Sequence, residues 1–215
     1  PGTLMADNLE WYRRAGINRL SIGLQSANDR ELKALGRIHT WGEFLNSFKL
    51  AREAGFSNIN VDLMSALPGQ TPQAWMDTLK KTAALEPEHI SAYSLIIEEG
   101  TPFGERKLKL PDEDTEYRMY ENTAGILAEY GFHQYEISNY ARPGMECRHN
   151  LGYWTGVSYL GLGLGASSYV NGCRFCNERD LGIYLGEKPG KRLDQEILTK
   201  KEMEEEFFYV GLRLV

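Results

Sequence analysis

Three consecutive strand-then-helix units fill the first half of this 215-residue chain, and they restrict its fold more than any other feature. Asn18–Gln25 alternates apolar and polar residues as a strand does, and a short helix over about Asn28–Leu35 follows, ended by Gly36. Thr40 and Glu43 have the spacing of a reciprocal cap, in which each side chain takes up a backbone N–H of the other, so a second helix is predicted from there to Gly55. Asn58–Met64 is the next strand. Thr71 as N-cap and Pro72 at the first helical position then open a helix to about Leu85, and His89–Ile97 is the third strand. Strands that return every roughly 30 to 40 residues with a helix between them pair in parallel, because only a crossover brings the chain back to the same edge. The predicted class is α/β, a partial (β/α) barrel with parallel strands. Asp112–Tyr130 reads as a further helix closed by Gly131, and His133–Ser138 as a further strand.

Beyond Arg142 the texture changes to glycine and aromatic residues up to Val170, so residues 1–142 are assigned to the barrel and 143–215 to an appended helical and irregular region. The chain opens on Pro1-Gly2-Thr3 and stops within an apolar helical pattern (Met203, Phe207, Phe208, Val210, Leu212), so both ends read as cuts in a longer protein. A parallel sheet cut in this way leaves unpaired edges, through which two copies are expected to be able to pair.

Charge and cysteine content remove several classes of function. The 24 Lys and Arg against 30 Asp and Glu leave a net charge of −6, with no cationic cluster to track a phosphate backbone, so no nucleic-acid partner is predicted. The three cysteines, Cys147, Cys173 and Cys176, are an odd number without a signal peptide, which favours reduced thiols in the cytoplasm. No apolar run approaches the roughly 20 residues a membrane-spanning helix needs, so a soluble cytoplasmic protein is predicted.

Reactive groups of a βα barrel collect at the C-terminal ends of its strands. Gln25 ends the first strand, and Asp62 sits among Val61, Leu63 and Met64, where an ionised carboxylate needs a cation, hydroxyl groups or water: a ligand or a structural partner. Arg37, between Gly36 and Ile38, is a loop arginine whose ordinary place is the surface. His149, Asn150, Tyr153 and Trp154 form a compact group; an imidazole beside two large rings suits a haem iron, or simply a satisfied structural histidine. Cys173 and Cys176 make a single Cys-x-x-Cys, half of a four-ligand zinc site, and ordinary reduced thiols are the simpler reading. Gly161-Leu162-Gly163-Leu164-Gly165 has neither the Lys-Ser/Thr ending of a phosphate loop nor the glycine order of a dinucleotide fold, and reads as flexible backbone.

Several of these segments, taken in order, resemble one family. Ser21-Ile22-Gly23-Leu24-Gln25-Ser26, Leu35-Gly36-Arg37-Ile38-His39, Asn60-Val61-Asp62-Leu63-Met64, Leu67-Pro68-Gly69-Gln70-Thr71 and Glu98-Glu99-Gly100-Thr101-Pro102 are similar to the oxygen-independent coproporphyrinogen III oxidase family of radical S-adenosylmethionine proteins. Tyr135-Glu136-Ile137-Ser138-Asn139-Tyr140 and His149-Asn150-Leu151-Gly152-Tyr153-Trp154 resemble its haem-chaperone branch, and the likeness runs from Pro1 to about Tyr169. The resemblance implies a radical S-adenosylmethionine type of partial barrel, and S-adenosylmethionine, a [4Fe–4S] cluster and haem as cofactors. It implies that Gln25, Arg37 and Asp62 contact S-adenosylmethionine, in particular a second molecule of it, and that His149, Asn150, Tyr153 and Trp154 bind haem, with His149 a candidate iron ligand. The implied function is to hold haem and deliver it to a partner protein. The alternatives are oxidative decarboxylation of coproporphyrinogen III in porphyrin biosynthesis, or an inert barrel fragment. The family's Cys-x-x-x-Cys-x-x-Cys cluster motif does not occur in this sequence, so the cluster ligands are expected outside it and the chain alone is expected to be inactive. Ser167 also stands where the family carries histidine.

Overall fold

Period-two alternation sorts the strand side chains onto two unlike faces of one sheet. In the computed structural model, which describes residues 1–101, 103–106, 108–186 and 192–215, β1 (Leu20–Gln25), β2 (Ile59–Ser65) and β3 (His89–Ser94) pair in parallel. Their register sets Gly23 beside Asp62, and Asp62 beside Ser91. One face is apolar: Ile22, Leu24, Ile59, Val61, Leu63 and Ile90 are buried against helices. Those helices are α1 (Ala6–Arg14), α2 (Asp29–Ala34), α3 (Trp41–Glu53), α4 (Pro72–Ala83) and α5 (Glu113–Ala128). Between α4 and α5 the buried Trp75 indole donates to Thr123 Oγ1 at 2.9 Å, so a large apolar ring also has its one N–H satisfied. The opposite face carries Ser21, Gly23, Gln25, Asn60, Asp62, His89 and Ser91, and this polar face holds the candidate site.

Local chemistry accounts for the helix starts. Thr40 and Glu43 form the reciprocal cap of α3, and Thr71 accepts from Ala74 N with Pro72 in the first turn of α4. Thr40→Ala is expected to cost about 1 kcal/mol in urea unfolding, the usual loss of a threonine cap.

The sheet is mixed, not wholly parallel, which corrects the expectation of a single strand over His133–Ser138. That segment is a tight hairpin, β4 (His133–Glu136) and β5 (Asn139–Ala141), and β5 runs antiparallel to β3 in the order β1-β2-β3-β5-β4. The reversal is held by side chains: Glu136 Oε1 accepts from Ser138 N at 3.0 Å and from the Asn139 amide, while Gln134 Nε2 donates to Ile137 O at 3.0 Å. The third strand ends at Ser94, short of Ile97.

Residues Pro1–Glu146 form one compact unit and Cys147–Val215 a second. The second contains α6 (Arg148–Trp154), β6 (Ser167–Val170), β7 (Cys173–Cys176), α7 (Leu181–Tyr184), β8 (Leu193–Ile197) and α8 (Lys200–Gly211), with an antiparallel sheet in the order β6-β7-β8. The glycine run wraps around one amide: Asn177 Nδ2 donates to Gly161 O at 3.1 Å and Gly163 O at 2.8 Å. A Cβ on Gly161 would stand 2.2 Å from Ser167 O, so close backbone approach requires that glycine. Pro102, which ends the Glu98–Pro102 motif, lies outside the described residues. Among the described residues no helix is long and apolar enough to cross a membrane.

Candidate functional site

On the polar face of the first unit, Gln25, Arg37 and Asp62 meet around Gly23. Gln25 closes β1 with φ 73° at an irregularity in the β1–β2 register, a left-handed conformation that few non-glycine residues adopt. Arg37 sits in the loop between α2 and α3. That loop is pinned to β1 because the buried His39 holds Leu24 O at 3.2 Å through Nε2, and burial pushes the His39 pKa down, which keeps the ring neutral. Gly23 lies beneath both side chains: a Cβ there would be 2.9 Å from Gln25 Nε2 and 3.3 Å from the Arg37 guanidinium. Neither the Gln25 amide nor the Arg37 guanidinium has a hydrogen-bond or ion-pair partner among the described residues, so both present unused donors at one place. A cavity of about 430 Å³ lined by Ser21, Gly23, Gly36, Arg37 and His39 adjoins them.

Asp62 supplies the acceptor. Its Oδ2 accepts from Ser21 Oγ and its Oδ1 from Asn60 Nδ2, both at 2.8 Å, which leaves acceptor capacity on each oxygen. Behind it the polar face is one connected network. Asn60 Nδ2 also donates to Ser21 Oγ at 2.8 Å, so the Asn60 carbonyl turns away, towards His89 Nδ1 at 2.6 Å. Burial, reinforced by the Arg19 charge, pushes the His89 pKa down to about 3, and the ring is neutral. Its Nδ1–H therefore donates to Asn60, and its Nε2 accepts from Tyr135 OH at 2.7 Å. Ser91 Oγ donates to Asn139 Oδ1 at 2.6 Å and extends the chain towards Glu136.

A second buried group ties the loops beyond β1 and β2. Glu31, on α2, accepts from Ser26 Oγ at 2.6 Å and Gln70 Nε2 at 2.9 Å. Ser26 follows Gln25 directly, so this clasp fixes the chain where β1 delivers Gln25. Sequence reasoning singled out neither Glu31 nor the Asn60–His89 pair. The period-two polar residues Ser21, Asn60, His89 and Ser91 were the available signal for the network.

In the second unit α6 carries the other candidate group. His149, Asn150, Tyr153 and Trp154 fall at i, i+1, i+4 and i+5, an arc of about 140° at 3.6 residues per turn. His149 is exposed and its Nε2 lies 3.0 Å from Tyr153 OH, while Tyr153 packs edge-on against Tyr159 with centroids 4.7 Å apart. Tyr153, Trp154, Tyr159, Tyr169, Met203 and Phe207 line a cleft of about 290 Å³. Two cations border these rings: Arg213 lies 4.7 Å over Trp154, and Arg174 pairs with Glu206 beside Tyr169. The arrangement sets an exposed imidazole beside a ring-lined cleft bordered by arginines.

The cysteines do not gather. Cys173 and Cys176, three apart on β7, point to opposite faces, and Cys176 Sγ donates to Gly165 O at 3.0 Å. Among the described residues no group of three or more His, Cys, Asp or Glu could hold a metal ion, so these residues do not fit a [4Fe–4S] cluster.

The chain matches the Radical SAM superfamily over residues 1–82. It is 40% identical over 218 residues to the heme chaperone HemW of Lactococcus lactis subsp. lactis (strain IL1403), a match covering 99% of this chain and 58% of that protein. The heme chaperone HemW of Bacillus subtilis (strain 168) is 41% identical, again with 99% and 58% covered. In structure the chain is similar to coproporphyrinogen III oxidase (HemN) from Escherichia coli, described as a radical SAM enzyme, with a TM-score of 0.85 and 25% identity over 98% of this chain and 53% of that one. The chain thus spans a little over half the length of these relatives. It is a radical SAM protein. Within that superfamily it is HemN-like, with heme chaperones named HemW among its relatives at about 40% identity over nearly all its length. Membership implies S-adenosylmethionine and a [4Fe–4S] cluster for the whole protein.

Proposed function

We propose that the protein containing this chain is a cytoplasmic haem chaperone, which binds haem through the α6 group and S-adenosylmethionine through Gln25, Arg37 and Asp62, and passes haem to a partner protein. The carrying observation is the exposed imidazole of His149 on one arc with Asn150, Tyr153 and Trp154, beside a ring-lined cleft. Tyr and Trp rings would cover the flat macrocycle and His149 would offer a nitrogen to its iron. In the first unit, the Arg37 guanidinium would pair with the carboxylate of S-adenosylmethionine, while Asp62 and Gln25 would take its hydroxyl or ammonium groups. The cluster, held by residues outside this chain, would supply the electron chemistry of the superfamily.

A haem titration of the full-length protein at the Soret band tests the reading. His149→Ala is expected to weaken saturable binding severalfold to about tenfold, the loss of one ligating or hydrogen-bonding group. Tyr153→Phe is expected to tighten it about threefold, because the phenol that competes for His149 Nε2 at 3.0 Å is gone. No binding, or indifference to His149→Ala, would sink the proposal. The second reading, an anaerobic coproporphyrinogen III oxidase, draws on the structural similarity to HemN. Turnover of coproporphyrinogen III by the full-length protein under anaerobic reducing conditions would favour it.

A further inference from the structure

We propose that Asn60, held by His89, is a positioning residue that fixes the Asp62 carboxylate for its ligand; this rests on the reading of Asp62 as an S-adenosylmethionine contact. Asn60 is buried, and both ends of its amide are engaged: Nδ2 donates to Asp62 Oδ1 and to Ser21 Oγ, both at 2.8 Å. Its Oδ1 accepts from His89 Nδ1 at 2.6 Å, while the Ser91 hydroxyl, 3.2 Å away, directs its one proton to Asn139 Oδ1 at 2.6 Å. Both N–H donors and one acceptor position of the amide are thus committed, so Asn60 cannot rotate without breaking three bonds at once. Asp62 is only half-buried and would otherwise choose among rotamers solvated by water. With Asn60 on one oxygen and Ser21 on the other, the carboxylate is held in one orientation before a ligand arrives, and binding need not order it.

His89 stands one step further back. As a neutral ring with its Nδ1–H committed to Asn60, it sets which way the amide faces, and Tyr135 OH on its Nε2 sets which nitrogen carries the proton. The order of control runs from Tyr135 to His89, to Asn60, to Asp62. Asn60 and His89 touch no ligand in this scheme; they act through Asp62.

The test is a double-mutant cycle on S-adenosylmethionine affinity, measured by calorimetry on the full-length, cluster-loaded protein. Asn60→Ala is expected to weaken binding about fivefold, the worth of one hydrogen bond, and to add less than about twofold when Asp62 is already alanine. Equal losses in both backgrounds, or no loss from Asn60→Ala in the presence of Asp62, would overturn the positioning role. If Asp62→Ala alone leaves the affinity unchanged, the reading of Asp62 fails and takes the proposal with it, and that single variant identifies the failure. Should Asn60→Ala not fold, two substitutions of His89 test the same control. His89→Gln keeps an N–H for Asn60 Oδ1 and should hold affinity within about twofold, whereas His89→Met has no donor and should lose about fivefold. Equal affinities in the Gln and Met variants would refute the scheme.

Discussion

Gly23→Ala is expected to weaken S-adenosylmethionine binding by the full-length protein roughly ten- to a hundredfold while moving its thermal midpoint by no more than about two degrees. The expectation follows from what lies over that glycine. A Cβ would stand 2.9 Å from Gln25 Nε2 and 3.3 Å from the Arg37 guanidinium, and both neighbours are the far ends of long side chains. They can swing aside at little cost to the fold. Gly23 is not among the glycines with positive φ, so alanine adopts its backbone without strain. Displacement of the guanidinium from a ligand carboxylate loses a charge-assisted pair of about 1.5–3 kcal/mol, which sets the fold-change. Calorimetric titration with S-adenosylmethionine, beside a thermal melt of the same sample, separates the two effects. Unchanged affinity would mean that Gln25 and Arg37 do not touch this ligand, and a large drop in the midpoint would mean that Gly23 is needed for packing.

The parts of the structure that are readable from the sequence are those whose causes are local. Thr40 with Glu43 and Thr71 with Pro72 announce α3 and α4 because a cap and the first turn it opens lie within three residues of each other. The β4–β5 hairpin escapes such reading because its turn, at Ile137-Ser138, has neither glycine nor proline and is held by the Glu136 and Gln134 side chains. α6 escapes it for a related reason: Cys147 at its N-cap makes no side-chain cap bond, and none of its residues is buried. α1 is equally unannounced; it has no side-chain cap and buries only Leu9. For the candidate site, the family resemblance supplies Gln25, Arg37 and Asp62 as a set, but their meeting point is a matter of register. Gly23 faces Asp62 only once β1 and β2 are paired, and no spacing within either strand encodes that. Asn60 and His89 are likewise 29 positions apart and meet only through the β2–β3 pairing. Alternation identifies the polar face; which residue on it bonds to which is decided by the sheet.

Lowering the pH from 7 to 5 is expected to destabilise the fold by about 2 kcal/mol through His89 alone. Unfolded, the imidazole titrates near its ordinary value of about 6.5; folded, burial and the Arg19 charge hold it at about 3. Between those two values the unfolded chain binds a proton that the folded one refuses, so stability is complete above about pH 6.5 and falls by about 1.4 kcal/mol per unit as the pH drops towards 3. At pH 5 the gap to the unfolded value is about 1.5 units, which gives the 2 kcal/mol. Urea unfolding followed by far-ultraviolet circular dichroism at pH 7 and 5 measures it, with His89→Gln as the reference that cannot titrate. The wild type should lose about 2 kcal/mol more than the variant over that interval. The buried His39, whose pKa burial also depresses, adds an acid loss of its own, but it does so in both proteins and drops out of the difference. Equal losses would mean that His89 takes up a proton as readily in the fold as in the unfolded chain. The donor to Asn60 would then no longer have a fixed tautomer, and the control of Asp62 through the polar face would lose its physical basis.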